Sequence, residues 1–211
     1  MSDHTQDVPL RVIKLGGSLL ELPDLAERFG RWRSSQAPAC DVVIVGGGQL
    51  VDSLRVRQPQ CGLDDESMHW LAIDVMSQNA AIVAGLFSGA RLTGDLESVR
   101  RNRRGEELVV FDVAPFMRSD RGAGALPCGW DVTSDSIAAR VAITARADEL
   151  VLLKSAPPEP ERTLAELSSC GYVDAQFAKA SADIQSVRFV GLRSDVYNEF
   201  EICVPLVPII A

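Results

Sequence analysis

The chain has 211 residues, of which 46% are hydrophobic and 24% are charged, and its net charge is −8. This length is enough for the core of one large α/β domain, and the acidic balance argues against a general nucleic-acid binder, whose surface is usually basic. No apolar run approaches the roughly 18 residues that span a membrane, and residues 1–8 lack the apolar centre of a signal peptide. We therefore expect a cytoplasmic protein without a membrane or nucleic-acid partner.

The cysteines give no sign of a metal or redox site. They are odd in number, widely spaced and without a Cys-x-x-Cys pair: Cys40, Cys61, Cys128, Cys170 and Cys203. We expect reduced thiols that mostly pack in the interior, and no metal site built from protein ligands.

A strand, a glycine turn and a helix open the chain. Leu10 to Leu15 predict a buried strand, Gly16-Gly17 follow it, and apolar residues at helical spacing continue from Leu22 to Trp32. Paired glycines let backbone N–H groups approach an anion, while Lys14 adds a mobile charge and Ser18 adds a cap or a hydroxyl donor. A tight turn beside a solvated lysine explains the segment equally well when it is taken alone.

The same unit occurs a second time. Asp41 to Val45 predict a strand, Gly46-Gly47-Gly48 close it, and a helical face starts at Leu50. The repeat favours a parallel sheet with helical crossovers, in which ligands gather at the carboxyl ends of the strands. Neither turn is the G-x-x-x-x-G-K-[ST] phosphate loop or the G-x-G-x-x-G fingerprint, which weakens the hypothesis of a Rossmann-like dinucleotide or nucleotide-sugar enzyme.

The longest helical pattern runs from Asp64 to about Phe87, with His69 and Trp70 near its start. A lone histidine on a helix is more often a surface or satisfied residue, and contact with a substrate is the alternative. The later basic run from Arg100 to Arg104 is interpreted as a solvated helix end or loop. Its alternative is a mobile clamp for a phosphorylated ligand.

A second helix start lies in the middle of the chain, after a predicted strand over 108–113, a helical turn over 114–118 and a loop to residue 127. The segment from Trp130 to Ser136 leads into apolar residues at helical spacing. Thr133 and Ser134 suit a helix cap, and Asp135 falls in the first turn, where the macrodipole favours a carboxylate. Capping alone accounts for all three residues.

Glu149 to Lys154 predict a strongly buried strand that ends in lysine, and a proline-rich loop follows from Ser155 to Pro160. Lys154 is interpreted either as a second phosphate-binding lysine or as a strand-end residue without that role. The last two predicted strands form a hairpin or a sheet edge. The remaining predictions are helices over 163–167 and 172–181 and strands over 187–192, 199–204 and 206–210.

Three motifs in order resemble the amino acid kinase family: Lys14-Leu15-Gly16-Gly17-Ser18, Gly46-Gly47-Gly48 and Thr133-Ser134-Asp135-Ser136-Ile137-Ala138-Ala139 before an apolar strand. The resemblance covers residues 10 to about 155. It implies a three-layer αβα sandwich with a mainly parallel central sheet, as a single domain over 1–211. Within it, an acceptor-binding part would span about 10–130 and a shortened nucleotide-binding part about 131–211. It also implies transfer of the γ-phosphoryl group of ATP, with Mg²⁺, to a phosphate or carboxylate of a small molecule.

The resemblance also implies a role for each matched residue, since phosphoryl transfer mainly needs positioning and charge stabilisation. Lys14 would neutralise the phosphoryl group in flight, Asp135 would hold the lysine ammonium groups, and Lys154 would be a second lysine. The acceptor-side residues would be Gly16, Gly17, Ser18, Gly46, Gly47, Gly48, His69, Trp130, Thr133 and Ser134. The nucleotide-side residues would be Lys154, Ser155 and Asp174.

Within the family, the small size and the segments His69-Trp70 and Trp130 to Ser136 look most like the short kinases of methanofuran-type cofactor synthesis, which phosphorylate an aminomethylfuran-methyl phosphate. After Lys154 the chain lacks the Thr-Asp-Val-x-Gly type segment of many members. A catalytically silent binding or storage module is therefore the alternative function. Because the family usually assembles through helix contacts, the helix from Asp64 to Phe87 is the predicted interface of a homodimer or higher homo-oligomer.

Overall fold

The computed structural model describes residues 8–101, 105–159 and 162–203, and a single seven-stranded sheet runs through them. Its strands are β1 (Leu10–Leu15), β2 (Cys40–Val45), β3 (Arg91–Thr93), β4 (Leu108–Phe111), β5 (Glu149–Lys154), β6 (Ser186–Gly191) and β7 (Asn198–Cys203). Their order is β3-β4-β2-β1-β5-β6-β7, and β7 is the one described strand that runs antiparallel to its neighbour. Strands β2, β3 and β4, which follow β1 in the chain, all lie on one side of it, and β5 then pairs with its other side. The carboxyl ends of β1 and β5 therefore form a topological switch point, where ligands gather in open α/β sheets.

Helices cover both faces of the sheet. They are α1 (Leu25–Ser34), α2 (Gly48–Cys61), α3 (Asp65–Leu86), α4 (Leu96–Arg101), α5 (Val113–Ser119), α6 (Ser134–Ala145), α7 (Leu164–Ser169) and α8 (Phe177–Ala180), and a 3₁₀ helix spans Gly17–Glu21. Every residue of β1 and β2 is buried. Strands that are buried on both faces are the signature of parallel sheets between two helical layers. The predicted three-layer α/β sandwich is thus confirmed.

The two cores follow from the alternation of side chains along the strands. Val12 of β1 packs into one core together with Ile137 of α6, whereas Ile13 packs into the other with Phe29 and Trp32 of α1. Phe29 also stacks on Phe87, with ring centroids 4.2 Å apart.

Helix α3 crosses the carboxyl edge of the sheet. Its first half contributes Ile73 to the core under α6, and its second half contributes Val83 to the core under α1. Between them, the buried Asn79 donates hydrogen bonds from Nδ2 to the carbonyls of Gly46 (2.9 Å) and Gly47 (3.1 Å). The polar interruption of this apolar helix therefore fixes the glycine turn after β2.

Most predicted elements occur close to their expected bounds, and β1 and β5 match them residue for residue. The helix predicted over 172–181 is shorter, because only Phe177–Ala180 is helical. Strand β3 and helix α4 were not predicted, since a three-residue strand and a six-residue helix carry little periodicity. The strand predicted over 206–210 lies outside the described residues.

The expectation that the cysteines mostly pack is wrong for three of them. Cys40 is buried in β2, but Cys61, Cys128 and Cys170 are exposed free thiols. Cys61 ends α2 and Cys170 caps α7, so both lie where the chain turns away from the core. Among the described residues, no helix is long and apolar enough to cross a membrane.

Candidate active site

Two lysines reach one face of the sheet at the switch point. In the register of β1 and β5, Lys14 is paired with Leu152, so Lys154 lies two residues further along β5 and its side chain faces the same way. Leu152 belongs to the core that α6 covers. The first turn of α6 carries Asp135, which places a carboxylate opposite both ammonium groups.

Asp135 bridges the two lysines. Lys14 Nζ lies 2.8 Å from Asp135 Oδ1 in an ion-pair contact, although the two atoms are not aligned as a hydrogen bond. Lys154 Nζ donates a hydrogen bond of 2.7 Å to Asp135 Oδ2. The side chains of Lys14, Asp135 and Lys154 are only 7%, 5% and 15% exposed. Two positive charges therefore share one negative charge out of water, so these three side chains together carry a net positive charge.

This arrangement sets the ionisation of the group. Burial acts to raise the pKa of Asp135, but Lys14 and Lys154 together outweigh it and hold that pKa below its usual value. Burial and, next, the charge of Lys14 lower the pKa of Lys154, while Asp135 opposes this shift. Asp135 is therefore an anion whose two oxygens are both engaged by lysines. It serves as a counter-ion to them and is not a free base.

A short segment after α7 fixes the position of these residues. The Asp174 carboxylate accepts hydrogen bonds from Thr133 N (2.9 Å), Thr133 Oγ1 (2.8 Å) and Ser136 N (3.0 Å), and also from Ser136 Oγ. The carbonyl of Tyr172 accepts a hydrogen bond of 2.5 Å from Lys154 Nζ. The Asp174 carboxylate therefore holds the start of α6, and with it Asp135, while its predicted contact with the nucleotide stays a prediction.

The two glycine turns touch each other. A Cβ on Gly17 would lie 2.1 Å from Gly48 N, and Gly48 has a φ of +59°. The N–H groups of Gly16 and Gly46 donate to Leu153 O and Leu15 O, each at 2.9 Å, so they extend the sheet and are not free donors for an anion. The donor role expected for Gly16 is corrected accordingly. The N–H groups of the first turn of α2, which starts at Gly48, stay available, because no earlier turn supplies their acceptors.

We name the cavity beside these turns the acceptor cavity, because the sequence analysis predicts acceptor contacts for several of its lining residues. It encloses about 240 Å³, below the roughly 300–1,000 Å³ of drug-sized pockets, so it suits a small molecule. Asp135 directly follows the lining residue Ser134, and Lys14 and Lys154 are joined to this edge of the cavity through their ion pairs with Asp135. Its polar lining consists of Gly17, Ser18, Gly47, Gly48, Asp52, Arg55, His69, Thr133 and Ser134, and its less polar lining of Val51, Ala72, Ile73, Met76, Trp130, Val132 and Ile137.

Sequence reasoning missed two charged residues of this cavity. Asp52 and Arg55 lie on α2, a helix whose exposed positions carry no distinctive pattern. The Arg55 guanidinium carbon lies 4.6 Å from the centre of the Trp130 ring, and Trp130 Nε1 donates to Gln58 Oε1 at 2.5 Å. Helix α2 therefore forms one wall of the cavity.

The loop after β5, where nucleotide contacts are predicted, lies against the first glycine turn. The hydroxyls of Ser155 and Ser18 are 2.9 Å apart, so the loop after β5 meets the first glycine turn. In the basic run, Arg100 pairs with Glu97 on its own helix at 2.6 Å, which favours the helix-end interpretation over a clamp. Residues 102–104 of that run lie outside the described residues.

The contact between the glycine turns gives a stability prediction. We expect Gly17→Ala to lower the free energy of unfolding by about 1–3 kcal/mol, because the new methyl group overlaps backbone atoms of Gly48. Gly30→Ala is the matched control: Gly30 lies inside α1, a Cβ there meets no atom within 4 Å, and a gain of about 0.5–1 kcal/mol is expected. Urea denaturation of both variants checks this, and equal effects would disprove the close approach.

A mainly parallel α/β sheet with two buried lysines and two glycine turns at its switch point defines an α/β protein whose site is suited to anionic groups. The amino acid kinase family model matches residues 9–158. The structure resembles UMP kinase from Bacillus anthracis (13% identity, TM-score 0.62, 90% of each chain) and aspartate kinase from Synechocystis (17%, 0.56, 94% of this chain and 40% of that chain). It also resembles uridylate kinase from Archaeoglobus fulgidus (18%, 0.50, 74% of this chain and 69% of that chain). No curated protein sequence matches the chain. The chain belongs to the amino acid kinase family, a family of phosphotransferases.

Proposed function

We propose that the chain is an ATP-dependent kinase that transfers the γ-phosphoryl group to a phosphate or carboxylate of a small molecule. One observation carries this proposal: Lys14 and Lys154 share Asp135 beside the acceptor cavity. In phosphoryl transfer, negative charge moves between the oxygens of the reacting groups. Preorganised positive groups in a site shielded from water stabilise that charge. The two lysines are such groups, and Asp135 keeps them apart and in place.

The choice of acceptor follows from the absence of a free base in this triad. Both Asp135 oxygens face lysines, so Asp135 is not poised to remove a proton from an alcohol. Phosphate and carboxylate oxygens are already anionic at neutral pH and need no base. In the reaction, the bond from the γ-phosphorus to the β,γ-bridging oxygen breaks, a bond to the acceptor oxygen forms, and ADP leaves.

ATP would enter with Mg²⁺, which neutralises charge on its phosphates. Among the described residues, no group of three or more His, Cys, Asp or Glu side chains is arranged to hold a metal ion. The phosphates of ATP would therefore supply the main ligands of the ion. We place the nucleotide on the side of Lys154 and Ser155, and the acceptor on the side of the glycine turns, His69, Trp130, Thr133 and Ser134.

The decisive experiment measures ADP formation with Mg-ATP and a panel of acceptors. The panel contains UMP, aspartate, acetylglutamate and an aminomethylfuran-methyl phosphate, the last because the chain resembles the short kinases of methanofuran-type cofactor synthesis. Acceptor-dependent ADP release, with a product heavier by one phosphoryl group in mass spectrometry, supports the kinase. Calorimetry that detects no Mg-ATP binding at millimolar concentration favours the silent binding or storage module instead.

We also propose that α3 joins two copies of the chain in a homodimer. Leu71, Ile82 and Leu86 of this helix are 39%, 59% and 52% exposed, and they recur at spacings of eleven and four residues, which places them along one side of the helix. A stripe of large apolar side chains on a long helix suits contact with its own copy.

Replacement of one side chain in this stripe tests the dimer. We expect Ile82→Asp to shift the protein from dimer towards monomer in analytical ultracentrifugation, because a charge would be buried without a partner at the interface. Val196→Asp is the control, since Val196 is 73% exposed in the turn between β6 and β7, away from α3. An unchanged mass for Ile82→Asp, or a monomeric parent protein, contradicts the proposal.

A further inference from the structure

His69 is buried in the wall of the acceptor cavity, and one of its ring nitrogens has no partner. The residue is 3% exposed, and its Nε2 makes no hydrogen bond within the described part of the chain. Buried polar atoms are nearly always hydrogen-bonded, and one without a partner costs free energy. A buried nitrogen without a partner at a cavity wall points to a bound ligand that supplies the missing hydrogen bond.

The other ring nitrogen determines what Nε2 can offer. His69 Nδ1 lies 3.3 Å from the carbonyl oxygen of Gly129, and a carbonyl only accepts, so Nδ1 carries the hydrogen. In the neutral ring, Nε2 is then an acceptor with a free lone pair. Burial lowers the pKa of His69, against smaller opposing effects of the Gly129 carbonyl and Glu66, which favours this neutral form. Nε2 therefore needs a donor.

The other lining residues indicate what kind of molecule carries the donor group. Gly17, Gly48 and Ser134 form the polar end, which suits the anionic group of the acceptor. Ile73 and Met76 follow His69 along α3 and form an apolar wall, with the Trp130 indole also in the lining. A small acceptor that fills about 240 Å³ therefore spans from the anion-binding end across an apolar surface.

We propose that His69 selects the acceptor, by accepting a hydrogen bond at Nε2 from an N–H or O–H group carried on a small apolar body apart from the anionic end. This inference rests on the proposed function in one respect, because it takes this cavity as the acceptor site. The acceptor class is thus a small, partly apolar phosphate or carboxylate with a hydroxyl or amino substituent. A purely apolar analogue of the same shape would leave Nε2 unpaired and bind less tightly.

Three probes of matched shape test the inference: benzyl phosphates that carry a hydroxymethyl, an aminomethyl or an ethyl group in the meta position. Binding is measured by calorimetry without nucleotide, and transfer is then measured with Mg-ATP. We expect the parent protein to bind at least one of the two donor-bearing probes about tenfold more tightly than the ethyl probe. In His69→Leu this ratio should fall to near one. His69→Gln, which restores an acceptor oxygen, should regain part of it.

The ratio of two probes on one preparation is insensitive to the fraction of folded protein, so a partly unfolded variant still gives a valid result. Equal binding of all three probes by the parent protein, no binding of any, or an unchanged ratio in His69→Leu would overturn the inference. A His69-dependent ratio without phosphoryl transfer to any acceptor would support the inference on the cavity while the kinase proposal fails. The two failures are therefore distinguishable.

Discussion

Lys14→Ala is expected to lower kcat/KM for phosphoryl transfer by about 10³-fold, the size of effect seen when a single preorganised charge or donor at a reacting group is removed. Lys14 is 6% exposed and lies at the carboxyl end of β1, where its ammonium group is within 3.8 Å of the position that a Cβ of Gly16 would take. No other described residue brings a positive charge to the Oδ1 side of Asp135. Steady-state kinetics with saturating Mg-ATP measures the loss.

Lys179→Ala is the matched control for this variant. Lys179 is an exposed lysine on α8, and it lies away from the acceptor cavity. We expect it to keep full activity, and we expect Lys14→Arg to recover only part, because a guanidinium cannot replace a compact ammonium in this ion pair. Near-normal turnover by Lys14→Ala, with its fold confirmed by circular dichroism, would contradict the assigned role.

Asp135→Asn is expected to damage both activity and stability. The two lysine ammonium groups would be left buried without a counter-ion, and loss of one partner of a buried ion pair costs about 3–5 kcal/mol. We expect kcat to fall by at least about 10²-fold, because one lysine would move or lose its proton. The urea denaturation midpoint and kcat are the two measurements.

The stability lost in Asp135→Asn should be partly regained as pH rises. The pKa of Lys154 is already below its usual value in the folded parent, and loss of Asp135 lowers it further because Asp135 opposes the shift. At pH values between this lowered pKa and the usual one, Lys154 keeps its proton in the unfolded chain but has released it in the folded chain. The free energy of unfolding of the variant therefore rises with pH in this range. Asp183→Asn, an exposed substitution, is the control and should show neither the loss nor this slope. A flat pH profile for Asp135→Asn would disprove the shared-charge model.

The strands that carry the site were predictable because their signals are local. Leu10–Leu15 and Glu149–Lys154 are mainly apolar segments with a lysine near or at the end, and both form buried parallel strands at the predicted bounds. The glycine clusters after β1 and β2 indicated turns at one edge of the sheet. Parallel pairing alone places both turns at the same edge, so their position could be predicted without knowledge of side-chain contacts.

The partners of the site were harder to predict because they depend on distant chain segments. Asp174 accepts from Thr133 and Ser136 about forty residues earlier, and the Tyr172 carbonyl accepts from Lys154 across a proline-rich loop. Nothing in the local sequence around Asp174 distinguishes a helix-capping carboxylate from a ligand contact. The sequence therefore could not show that Asp174 holds the start of α6, because contacts between distant segments decide that role.

The sequence by itself determined the alternation of strands and helices, the two glycine turns at the carboxyl edge, and the residues that can carry charge there. These features follow from hydrophobic periodicity and from the conformational freedom of glycine, which act over a few residues. The family resemblance implied that Asp135 holds the lysine ammonium groups, and the structure places it between Lys14 and Lys154. The tertiary structure alone decided that Asp174 holds the start of α6 and that His69 Nε2 lies buried without a partner beside a small cavity. Such pairings arise from how separate elements pack, because packing sets which charges are removed from water together.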